Sequence, residues 1–170
     1  MDPTRSRRAQ LIREAEGYVE LGMYEYALRT LDRLGSGDEL ESHAAYLRGE
    51  ALRSQERYRE AADALEHACE ATPDDIHIWL ALGWCYKRLG QMDRAIRALE
   101  EALEIEPGEA LIHYNLACYW SLAGGAQRAI HYLAAAFDID SNYRDMVEDE
   151  PDFDPIRDDP GFLNVTSVIV

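Results

Sequence analysis

Lysine is almost missing from this chain of 170 residues: Lys87 is the only one, and 17 basic residues face 33 acidic ones, for a formal net charge of −16. A balance this negative repels phosphate backbones and anionic headgroups, which argues against nucleic acid and membrane surfaces as partners. A long apolar run is missing too. Arg5, Arg7 and Arg8 near the N-terminus are not followed by the continuous hydrophobic stretch of a secretory signal, so export is not indicated and a cytoplasmic location is expected. Residues 110–127 carry no formal charge, yet His113, Asn115, Ser121 and the Gly124-Gly125 pair interrupt them, which speaks against a transmembrane span. Cysteine is sparse: Cys69, Cys85 and Cys118 are an odd number with no Cys-x-x-Cys pair, a pattern of buried thiols in a reducing compartment rather than of a disulfide framework. Without a signal, the acceptor triplet Asn164-Val165-Thr166 is not expected to meet the glycosylation machinery.

The usual signatures of chemistry are also lacking. There is no glycine-rich phosphate loop and no Gly-x-Ser-x-Gly elbow, and no carboxylate pair stands out from ordinary surface charge. His43, His67, His77, His113 and His131 form no i, i+4 ligand pair, although His43 and His77 are 34 residues apart and could face a common surface. No catalytic residue, metal or cofactor is predicted from these patterns.

What is present is a period. Ala27, Ala61, Ala95 and Ala129 recur every 34 residues, and Leu31, Leu65, Leu99 and Leu133 follow them by one helical turn on the same face. With 47% hydrophobic residues, a chain of this length can bury a real core. Gly22, Gly90 and Gly124 lie where a first helix should stop. Thr72-Pro73-Asp74-Asp75 reads as an N-cap, a first-turn proline and acidic first-turn residues, and Asp38 with Glu41 as a capping signal after Gly35-Ser36-Gly37.

The third unit contains Trp79, Leu82, Gly83, Tyr86, Ala95, Leu99, Ala102 and Pro107. This set resembles the tetratricopeptide repeat at nearly every signature position. The second unit keeps Gly49, Ala61, Leu65, Ala68 and Pro73. The fourth keeps Leu116, Ala129, Leu133 and Ala136, with Ala117 at the small position. The first is degenerate, with Ala15, Tyr18, Ala27 and Leu31. The resemblance implies an all-α, right-handed superhelical solenoid of antiparallel helix pairs. Its parts are an N-terminal extension (1–7), repeats at 8–41, 42–75, 76–109 and 110–143, and an acidic C-terminal cap (144–170).

Such stacks need a polar end. The segment 150–162 resembles the closing segment that follows tetratricopeptide arrays. Asp154-Pro155 and Asp159-Pro160 each read as N-cap plus first-turn proline, predicting two short helical turns that fold Phe153, Ile156 and Phe162 back onto the fourth repeat. The alternatives are a disordered acidic tail that recruits a basic partner, and an apolar C-terminal ligand at Val168-Ile169-Val170.

The resemblance implies a protein-binding module whose first helices build a ligand groove. Helical spacing places on that face His43, Tyr46, Glu50 and Arg53 from the second repeat. It adds His77, Leu80, Trp84, Lys87 and Arg88 from the third, and Tyr114, Asn115 and Cys118 from the fourth. The expected partner is a peptide or protein segment with an apolar anchor and a carboxylate. Ile12 and Glu16 stand where relatives that bind acidic chaperone tails carry Lys and Asn, which argues against that ligand. Other readings are a small acidic chaperone of a secretion substrate, and a chain that assembles with itself or within a larger complex.

Overall fold

A computed structural model describes residues 3–34 and 41–167, and among these it contains helices and turns but no strand. The helices are α1 (Pro3–Glu20), α2 (Tyr24–Leu31), α3 (Glu41–Ser54), α4 (Tyr58–Ala71), α5 (Ile76–Arg88), α6 (Met92–Ile105), α7 (Ala110–Leu122), α8 (Ala126–Ile139) and α9 (Pro160–Thr166). Two 3₁₀ helices, Ser141–Met146 and Pro151–Ile156, lie between α8 and α9. The second helices α2, α4, α6 and α8 begin at Tyr24, Tyr58, Met92 and Ala126, each 34 residues after the last. The chain sorts into two compact units, one ending at Leu89 and one starting at Gly90, so α5 belongs to the first and α6 to the second.

In the first unit α1 packs on α2, α2 on α3, α3 on α4 and α4 on α5, while the first helices α1, α3 and α5 also touch in succession. Ala27, Ala61 and Leu65 are wholly buried. Leu11, Ile12, Ala15, Leu31, Leu34 and Leu47 form a cluster where α1 meets the rest. The burial of Ile12 shows that this position is core and not ligand surface. In the second unit α6 packs on α7 and α7 on α8, around the fully buried Ala95, Leu99, Ala129 and Leu133.

The turn between paired helices is set by backbone chemistry. Gly22 donates to the Val19 carbonyl at 3.0 Å and Met23 to that of Tyr18 at 2.7 Å. Gly124 donates to Ser121 at 3.0 Å and Gly125 to Trp120 at 2.8 Å. These bonds satisfy the last carbonyls of the first helix and require a left-handed residue at the corner, which Gly22, Gly90 and Gly124 supply with φ of 71°, 72° and 78°. The second repeat makes the same corner with Glu56, at φ 61°.

Two features correct the expectations. The α5 cap is Asp75, whose carboxylate accepts the His77 N–H at 2.9 Å. Thr72 instead ends α4, donating its N–H to Ala68 and its hydroxyl to Ser42. The carbonyl of Pro73 receives the indole N–H of Trp79 at 2.7 Å, so Pro73 shapes the loop rather than starting the helix. In the C-terminal segment Asp159 does cap α9, accepting from Gly161 and Phe162 with Pro160 at the first position. Asp154-Pro155, however, lies inside the second 3₁₀ helix, which starts one proline earlier on a Glu150 cap; the Asp154 carboxylate pairs with Arg157 at 2.7 Å. The Asp38–Glu41 cap, the Gly35-Ser36-Gly37 turn and Val168-Ile169-Val170 involve positions outside the described residues.

Candidate functional site

The shared face of α1, α3 and α5 carries most of the predicted ligand-facing residues. On α3, Glu50 and Arg53 are three residues apart and therefore adjacent on the helix surface. They form a bidentate pair, with Nε to Oε1 at 3.0 Å and Nη2 to Oε2 at 2.7 Å. Both side chains are largely covered, so the pair is an organised charge and not a solvated rim contact. The Arg53 guanidinium also stands 5.0 Å from the Trp84 ring centre, and that of Arg88 lies 5.6 Å from it. Tyr46 is half-buried; burial, reinforced by the Glu50 and Asp75 charges, raises its phenol above the ordinary range. Beneath this layer the Cys85 thiol is fully buried, and desolvation pushes its pKa up to about 11 even though the Arg53 charge opposes the shift. Such a thiol is a small apolar packing group at neutral pH.

The centre of the arrangement includes a residue that helical spacing on the first helices could not reveal. Tyr58, at the start of α4, meets Trp84 edge-on at 5.3 Å and lies under the Arg88 guanidinium at 5.2 Å. Trp84 is thereby held between α3 and α4, presenting a fixed aromatic surface flanked by two cations. The only trace of Tyr58 in the sequence is Tyr24, its counterpart 34 residues earlier. Lys87 and Leu80 are half-buried on α5, and His77 is exposed at its start. His43 is drawn toward α1, with Nε2 3.7 Å from Glu16.

The second unit departs from the expected groove. Tyr114 and Cys118, one turn apart on α7, are both buried; only Asn115 of the three predicted residues there retains appreciable exposure. The cover is the chain's own C-terminal segment. Phe153, with no exposed surface, meets Tyr114 edge-on at 5.7 Å and lies tilted against Phe162 at 5.5 Å. Tyr143 lies 5.0 Å from Tyr114 on another side. Arg157 clamps the segment by donating to the carbonyls of Val147 and Glu150, and Arg144 binds that of Val165. Segment 141–166 is folded onto α7 and α8, in place of the free acidic tail considered above.

Comparisons with known proteins agree with the helical fold. Residues 52–117 match the family model described as "Tetratricopeptide repeat". Comparison with curated protein sequences finds no match. Among solved structures, MamA superposes with a TM-score of 0.75 at 22% identity over 81% of each chain. MamA from Desulfovibrio magneticus RS-1, a fragment running from residue 41, gives 0.73 at 21% identity, covering 79% of this chain and 76% of its own. YrrB, described as "a TPR protein with an unusual peptide-binding site", gives 0.73 at 19% identity over 96% of this chain and 92% of its own. Residues 52–117 thus match the tetratricopeptide repeat, and the described chain shares the helical-pair fold of these solved structures. No helix among the described residues is long and apolar enough to cross a membrane.

Proposed function

We propose that the chain is a non-catalytic interaction module that binds an extended peptide or protein segment on the shared face of α1, α3 and α5. The observation that carries this reading is the ordered set of Tyr46, the Glu50–Arg53 pair, Trp84 and Arg88, in which cations and aromatic rings are fixed before any ligand arrives. Preorganised side chains lose little entropy on binding. The aromatic surfaces suit an apolar anchor, and Arg88, with Lys87 on the same helix, suits a carboxylate on the ligand. Within a chain of net charge −16, such a patch also orients an incoming acidic segment against repulsion from the rest of the surface.

The test uses a displayed random-peptide library selected on the full chain. Enriched peptides should combine an aromatic or aliphatic residue with an acidic one. Their affinity should fall at least tenfold for Trp84→Ala, and for Arg88→Glu more at low salt than at high. Because Lys87 is the only lysine, an amine-reactive reagent can modify only Lys87 and the N-terminal amine, and bound peptide should protect Lys87. Peptides that bind both variants with unaltered affinity and leave Lys87 fully reactive would place the interaction surface elsewhere.

A further inference from the structure

Where the C-terminal segment meets α7 lies a group of side chains that the proposed function does not use. The Cys118 thiol on α7 and the carboxylates of Glu150 and Asp152, at the start of the second 3₁₀ helix, bring their ligand atoms within 4.8 Å of one another. Cys118 is buried, and the two carboxylates are half-buried. Glu150 is held in place by its own cap, one oxygen accepting the Asp152 N–H at 3.1 Å.

A second observation points into the same space. Tyr114, one turn before Cys118 on α7, is 3% exposed, and its hydroxyl is buried with no hydrogen-bond partner. Such a group bears the full penalty of desolvation unless something satisfies it. The Tyr114 ring meets that of Phe153, the residue after Asp152, at 5.7 Å, which places the tyrosine beside the cluster.

We propose that Cys118, Glu150 and Asp152, with the Tyr114 hydroxyl or a water as fourth donor, form a structural Zn²⁺ site that fastens the C-terminal segment to α7. Zinc is the cation this donor set selects. A thiolate disfavours Ca²⁺ and Mg²⁺, two carboxylates disfavour Cu⁺, and Zn²⁺ accepts sulfur and oxygen together in a tetrahedral shell. Zn–S and Zn–O bonds of about 2.3 and 2.1 Å place neighbouring donors about 3.5 Å apart, a contraction within reach of the Asp152 side-chain torsions and of the second Glu150 oxygen. Since Cys118 comes from α7 and the carboxylates from the tail, metal binding couples to closure of the end of the array.

The experiment titrates metal-free full-length chain with ZnCl₂ by calorimetry and, in parallel, with Co²⁺ followed by absorption. One metal per chain, a rise in the thermal midpoint, and a near-ultraviolet thiolate-to-cobalt band are expected. Cys118→Ser should abolish the band. Glu150→Gln and Asp152→Asn should each weaken Zn²⁺ at least tenfold, while His67→Gln, which alters a separate surface pairing of His67 with Glu41 and Glu70, should leave it unchanged. Circular dichroism of the metal-free variants confirms folding, and the two carboxylate variants decide the matter if Cys118→Ser is unstable. Absence of the cobalt band in wild-type protein, or Zn²⁺ affinity unaltered by both carboxylate changes, overturns the site.

Discussion

A β-carbon added at Gly49 would lie 2.6 Å from the Cγ of Leu65, and 2.7 Å from one of its methyl groups. Leu65 is wholly buried, in an interior that is close-packed. At Gly49, therefore, α3 and α4 approach too closely to admit a β-carbon without a shift of Leu65. Gly49→Ala should destabilise the chain by about 1–3 kcal/mol through overpacking, measured by urea unfolding; a midpoint equal to wild type would show that the helices separate at no cost.

The neighbouring corner offers the opposite change. Glu56 holds φ 61° where three other repeats place glycine, and its side chain is exposed. A left-handed backbone costs an L-residue roughly 1–2 kcal/mol, partly offset by the greater unfolded-state freedom of glycine. Glu56→Gly should raise stability by about 0.5–1 kcal/mol, visible as a higher thermal midpoint, and an unchanged or lower midpoint would contradict the strain.

At the C-terminal end, Phe153 fills the space over Tyr114 and against Phe162. Phe153→Ala should cost about 3–5 kcal/mol. Ending the chain at Tyr143 should uncover the apolar surface of α7 and α8 and promote association detectable by light scattering. A truncated chain that stays monomeric and melts like the full one would show that the segment is not needed as a cover.

Alkaline pH should weaken the first unit. Burial raises the Cys85 thiol to about 11 and raises the Tyr46 phenol, so the folded state holds these protons more tightly than the unfolded chain, where a thiol titrates near about 8.5. Their contribution is fully present below that value and is lost as pH rises toward about 11. Stability measured by denaturant unfolding should decline across this window, and Cys85 should resist thiol reagents in folded protein at pH 9; rapid labelling without unfolding would contradict its burial.

The sequence by itself determined the helix pairs and their small-residue positions. Ala61 and Leu65, or Ala129 and Leu133, recur because every second helix meets the same packing problem, and Gly22, Gly90 and Gly124 recur because each corner needs a left-handed backbone. These are local demands repeated at a fixed period, and a single chain displays them. Capping was only partly legible: Asp159 could be read from its proline, but Thr72 and Asp75 both satisfy the local rule, and it is Asp75 that accepts the His77 N–H while Thr72 closes α4. Only tertiary structure placed Tyr58 against Trp84, since the two belong to helices of different repeats. It alone also turned Tyr114 and Cys118 from expected groove residues into buried ones. Their outward position on α7 follows from helical spacing, but whether that face meets solvent depends on where Phe153, over thirty residues later, comes to rest. Periodicity reports which face of a helix a residue occupies, whereas burial is set by whatever distant segment gains enough apolar contact to cover that face.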